Sequence, residues 1–124
     1  MWLDGTGSTA LSHLWQELGG DDPSFLTEVI QQFLQDGPDH LAAIRQAVVD
    51  RDADALIKAA HTFKGNCQIM GVLPLGELCF ALEEKGRAGE TENLEVLLTQ
   101  LESEYARVQV ALEAELAGLS AAST

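Results

Sequence analysis

Apolar residues recur at the three- and four-residue spacing of a helix along nearly the whole chain, and nowhere do apolar and polar residues alternate as in a half-buried strand. That rhythm points to an all-α fold, and its breaks mark the elements. Ser8 or Thr9 can cap a first short helix with Leu11, Leu14, Trp15 and Leu18 on one face, ended by Gly19-Gly20. Asp22-Pro23 restarts the chain with an N-cap acid and a proline at the first helical position. Leu26, Val29, Ile30, Phe33 and Leu34 form its stripe, Gly37-Pro38 interrupts, and Leu41, Ile44 and Val48 resume, which predicts one kinked helix or two in tandem. Asp52 can cap the next helix, whose apolar face is Leu56, Ala60, Phe63, Cys67 and Met70, with Gly71 as its C-cap. Pro74 opens a helix carrying Leu75, Leu78, Cys79 and Leu82, ended by Gly86 and Gly89. Thr91 can cap a last helix with a leucine-rich seam from Leu94 to Leu116.

Short connections between long amphipathic helices favour antiparallel neighbours. The expected fold is an antiparallel up-down four-helix bundle with the short N-terminal helix packed against it. One domain spans 1–124, with a core over about 8–117 and a frayed tail over 118–124. The composition suits this: 46% hydrophobic and 22% charged residues in 124 give a real core and argue against global disorder. A formal net charge of −13 argues against nucleic acid and anionic membranes as partners. No apolar run approaches the ~20 residues that span a bilayer, and the N-terminus lacks the basic-then-apolar pattern of a secretory signal, so the cytoplasm is the expected location. Cys67 and Cys79 both fall on apolar faces and read as buried small hydrophobes without a disulfide.

On a helical wheel of residues 52–70, Asp54, Ile57, Lys58, His61, Lys64, Gly65 and Gln68 gather within about 60° of His61, opposite the apolar stripe. His61 should therefore face solvent midway along a rigid helix. Gly65, one turn on, costs a helix interior roughly 1 kcal/mol against alanine, and a bare backbone there lets another macromolecule come close. Lys58, Lys64, Lys85 and Arg87 place four of the seven basic residues within 58–87, a local positive patch fit for an anion. Ile57, Lys58 and Gln68 are candidates for partner docking. A hairpin turning near Gly71 to Leu73 brings Leu82 to Glu84 level with His61, and Lys85 to Arg87 level with Lys58. Glu83 could then border the histidine; a surface ion pair with Lys85, Arg87 or Lys58 fits the sequence equally well. An exposed imidazole is a good nucleophile for phosphorus, a nearby ammonium steadies phosphoryl oxygens, and a carboxylate on the other ring nitrogen fixes the tautomer. His13 and His40 have no comparable neighbours and read as surface residues. The scattered acids read as solvation, not metal ligands.

The stretch His61-Thr62-Phe63-Lys64-Gly65-Asn66, preceded by Ala60 and followed by Gly71, resembles the signature of histidine-containing phosphotransfer (HPt) domains. Leu78-Cys79, Leu82-Glu83 and Gly86-Arg87-Ala88-Gly89 resemble the family's following helix, and the pattern from Phe25 to Leu34 its upstream helix. The likeness covers roughly residues 10–115. It implies that His61 is phosphorylated at Nε2 by an aspartyl phosphate on a receiver domain and passes the group to another receiver. It also implies that Lys64 steadies the phosphoryl group, Gly65 gives clearance, and Arg87 and Glu83 stand close by. Asn66 departs from the family, where serine is common. The expected partners are the receiver domains of response regulators or hybrid sensor kinases, with no cofactor here and Mg²⁺ on the receiver. The chain has no Gly-rich nucleotide loop, so it reads as a monomeric carrier without kinase activity. Two alternatives are a receiver-docking module that carries no phosphate and the phosphotransfer domain of a chemotaxis-type histidine kinase. Met1 and the weak tail after Gly118 favour a complete small protein over the latter.

Overall fold

The computed structural model describes residues 23–122, and all secondary structure among them is helical. The helices are α1 (Pro23–Asp50), α2 (Ala53–Met70), α3 (Leu73–Arg87) and α4 (Glu95–Ala122). The first short helix and Asp22, like His13, lie outside the described residues. Packing runs in a ring: α1 on α2, α2 on α3, α3 on α4, and α4 back on α1. Each helix thus buries one stripe against two neighbours, as the period of the sequence requires.

The Gly37-Pro38 break is absorbed inside one helix, because α1 continues through it to Asp50. Pro38 has no N–H to offer the Leu34 carbonyl one turn back. The Tyr105 hydroxyl of α4 donates to that carbonyl instead, at 3.5 Å. Gly37 makes room for it, since any Cβ there would collide with the Tyr105 ring and hydroxyl. The core behind this point is aromatic. Phe63, fully buried, stacks with Phe33 at 6.0 Å and lies 6.1 Å from Tyr105. Cys67 and Cys79 are buried, unbridged and mutually close; the hydrogen bond between them and their burial push the Cys67 thiol pKa up.

Two boundaries differ from the sequence expectation. Gly86 does not end α3: it lies inside the helix, and only Gly89, at φ 73°, marks the exit. Thr91 does not cap α4. The chain turns through Asn93 at φ 59°, and α4 follows Leu94, whose carbonyl takes the first helical bond from Leu98. At its C-terminal end α4 runs past Gly118 to Ala122. Leu119 is buried and continues the seam of Leu112 and Leu116, which gives the helix a reason to go on.

Candidate functional site

The rotational phase of α2 fixes the site. Asp52 caps the helix, its side chain accepting from the Ala55 N–H at 3.1 Å, and Gly71 closes it in the left-handed conformation at φ 73°. Between these stops, Leu56, Ala60, Phe63, Cys67 and Met70 are buried. His61 then has to emerge, and its side chain is 63% exposed.

What stands beside it comes from α3. Glu83 is the one charged residue in the core of the described residues, with 2% of its side chain exposed. Its Oε2 is 3.0 Å from His61 Nδ1 and 2.6 Å from an Arg87 terminal nitrogen. Its Oε1 is 2.8 Å from Lys64 Nζ, an ion pair held by charge rather than by an aligned hydrogen bond. Burial alone pushes the Glu83 carboxyl up, but Lys64, Arg87 and His61 together outweigh that and hold it at about 2. An ionised carboxylate only accepts, so His61 Nδ1 has to donate. The neutral ring then carries its lone pair on Nε2, on the side away from Glu83.

Lys64, Gly65, Glu83 and Arg87 are thus all at or beside His61, and the Arg87 ion pair that the sequence left open for Glu83 is one part of a four-group cluster around a buried carboxylate. The positive patch divides. Lys64 and Arg87 turn to Glu83, while Lys85 pairs with Glu90 at 3.3 Å. A Cβ on Gly65 would meet nothing within 4 Å, so this glycine faces open space. Lys58 and Gln68 are exposed, as docking candidates should be. Ile57 is not: it is half-buried and packs on Gly86, where a Cβ would come within 2.8 Å of Ile57 Cγ1 and 3.2 Å of the Ala53 carbonyl oxygen. The wheel put Ile57 on the histidine's side, but only the position of α3 shows that this side is covered.

Sequence reasoning missed two residues. His40 has neighbours after all. Its ring stacks on Phe63 with centroids 5.1 Å apart, and Asn66 Nδ2 donates to its Nε2 at 2.8 Å. The amide at position 66 is what reaches across from α2 to α1. Phe80 is 49% exposed and lies beneath Lys64 Nζ, 5.0 Å from the ring centroid. Its signal was present as an aromatic residue off the apolar stripe of α3. No group of three or more His, Cys, Asp or Glu among the described residues is arranged to hold a metal ion, and no described helix is long and apolar enough to cross a membrane.

The sequence model of the Hpt domain matches residues 28–121. No curated protein matches the chain. Among solved structures, the chain is similar to the crystal structure of histidine-containing phosphotransfer protein B (HptB) from Pseudomonas aeruginosa PAO1. The identity is 30%, over 84% of this chain and 90% of that one, with a TM-score of 0.77.

Proposed function

The chain belongs to the Hpt domain family of two-component signalling, and from that premise we propose that His61 is its phosphoryl carrier, loaded and unloaded by receiver domains. The observation that carries the reading is the bond between Glu83 and His61 Nδ1, which in the neutral imidazole puts the lone pair on Nε2, on the side of the ring away from Glu83.

The chemistry follows from that tautomer. The Nε2 lone pair forms the N–P bond to the phosphorus of an aspartyl phosphate as the P–O bond to the aspartate breaks, and its electron pair leaves with the aspartate. No proton has to move, because Nδ1 keeps its hydrogen and the ring becomes a phosphoimidazolium. Positive charge therefore develops on the ring as the bond forms, and the buried Glu83 carboxylate is already aimed at it. Low solvent content around Glu83 strengthens that interaction. Lys64 and Arg87 keep Glu83 ionised and place cationic charge beside an incoming phosphoryl group. The reverse step uses the same parts: the aspartate attacks, and the imidazole leaves neutral with Nδ1 still protonated. Gly65 gives the receiver a close approach to the ring. Lys58 and Gln68 belong to the rim that meets the receiver.

The chain acts as a carrier without kinase activity, the Mg²⁺ of the reaction residing on the receiver. The short connections and ring-like helix packing support an antiparallel up-down bundle. Its expected setting is cytoplasmic, as a monomer.

The test is incubation with a receiver domain phosphorylated by labelled acetyl phosphate. Wild type should acquire acid-labile, alkali-stable label and His61→Gln none. Label that persists in His61→Gln would sink the assignment, and equal labelling from ATP alone would sink the carrier reading.

A further inference from the structure

Beside the phosphoryl site the α2–α3 seam opens into a groove of about 380 Å³. Lys64 and Gln68 line it from α2, and Leu73, Gly76, Glu77 and Phe80 from α3. Phe80 and Leu73 are 49% and 44% exposed; of the seven exposed large apolar side chains among the described residues, these two line the groove. Gly76 forms the floor: a Cβ there would stand 3.4 Å from Cys67 Cβ, so the helices touch beneath the groove while its rims stand apart.

The groove is continuous with the site. Lys64 lies over the Phe80 ring and also grips Glu83, which in turn holds His61. Along α2, Gln68 is about 10 Å from His61 at 1.5 Å per residue. A specific protein partner covers about 800 Å² on each side, a disc of about 16 Å radius. A partner centred on His61 therefore reaches the groove. A second copy of the chain is a poor occupant, because two chains of net charge −13 repel each other.

We propose that this groove is the specificity-determining dock for the receiver domain that exchanges phosphate with His61. The receiver seats an apolar side chain over Phe80 and Leu73, its anionic aspartyl phosphate faces the Lys64 end, and a basic group meets Glu77 at the far end. The inference rests on the carrier reading above and adds which surface selects the partner. Buried apolar anchors at the centre of an interface carry most of its energy, so Phe80→Ala and Leu73→Ala should each raise KM for the receiver about tenfold, and Leu73→Ala should leave kcat nearly unchanged.

Two phosphodonors separate docking from chemistry: a receiver domain labelled with acetyl phosphate, taken for its transfer to wild type, and phosphoramidate, a donor too small to use the groove. In Leu73→Ala, slow transfer from the receiver with unchanged labelling by phosphoramidate supports the proposal; Phe80→Ala, whose ring also lies under Lys64, should slow receiver transfer as well. Helical content and melting should be as in wild type, and Val110→Glu, an exposed change on α4, should behave as wild type. Receiver transfer at the wild-type rate in both variants overturns the proposal. So does an equal loss with phosphoramidate in Leu73→Ala, which would assign the groove to the chemistry or the fold. A wild-type dimer that Phe80→Ala makes monomeric would give the groove to a second copy and also overturn it. Absence of label on wild-type His61 from either donor defeats the carrier reading itself, and the dock with it.

Discussion

Gly86→Ala is the sharpest probe of how the site is built, because it adds one methyl group at the tightest point between α2 and α3. The new Cβ would sit 2.8 Å from Ile57 Cγ1, 3.2 Å from the Ala53 carbonyl oxygen and 3.4 Å from the Ile57 backbone nitrogen. Carbon atoms pack at about 3.5–4.0 Å, so the Ile57 contact is short by roughly an ångström. Ile57 is β-branched on a helix and has essentially one χ1 rotamer, so it does not swing aside cheaply. The Ala53 carbonyl is part of the helix and does not move at all without it. The relief is for α3 to back away from α2. Glu83 lies one turn earlier on α3, facing the same neighbour, and its 3.0 Å contact with His61 Nδ1 opens as α3 retreats. A retreat of about an ångström takes it beyond hydrogen-bonding distance. Overpacking costs about 1–3 kcal/mol, and the gain in helix propensity from glycine to alanine offsets about 1 kcal/mol of that. The net expectation is a loss of up to about 2 kcal/mol in urea unfolding, with loss of the Nδ1–H signature of His61 in the imidazole NMR spectrum and slower receiver transfer. If Gly86→Ala is more stable than wild type and keeps the Nδ1–H tautomer, the claim that this missing Cβ sets the Glu83–His61 distance is refuted.

Three further outcomes are expected. Glu83 is held at about 2 against an ordinary value near 4.5, so its contribution of about 3 kcal/mol is complete above about pH 4.5 and is lost as the pH falls through about 2. Thermal melts of Glu83→Gln should lack that acid limb, and a variant melting curve parallel to wild type across that range would count against the ion cluster. Gly65→Ala should raise stability by about 1 kcal/mol, since its Cβ meets nothing, whereas Gly65→Gln should slow receiver transfer about tenfold with the fold intact; unaltered transfer removes the clearance argument. Tyr105→Phe should cost about 1 kcal/mol in denaturant unfolding by leaving the Leu34 carbonyl without its donor, and no loss would show that solvent serves that carbonyl instead.

The helices and the exposed histidine were legible because they depend on local rules. The stripe Leu56, Ala60, Phe63, Cys67 and Met70 fixes the phase of α2, and the phase alone turns His61 outward. Asp52 and Gly71 announce the ends of that helix through capping chemistry that involves only near neighbours in sequence. Gly86, by contrast, looks like a stop when read locally, and its meaning lies in Ile57 of another helix. His40 looked solitary because Asn66 and Phe63 are remote from it in sequence.

The sequence by itself thus determined that the described residues are helical, that His61 faces solvent, and that Lys64 and Gly65 stand one turn beyond it. These follow from a period of ~3.6 residues, which each helix carries within itself. Only the tertiary structure decided that Glu83 is buried, that it shares its two oxygens among His61, Lys64 and Arg87, and that Ile57 is covered while Phe80 is not. Those facts depend on how far apart two helices pack and how they are rotated against each other. Contacts between side chains remote in sequence set both, and no helix encodes them alone.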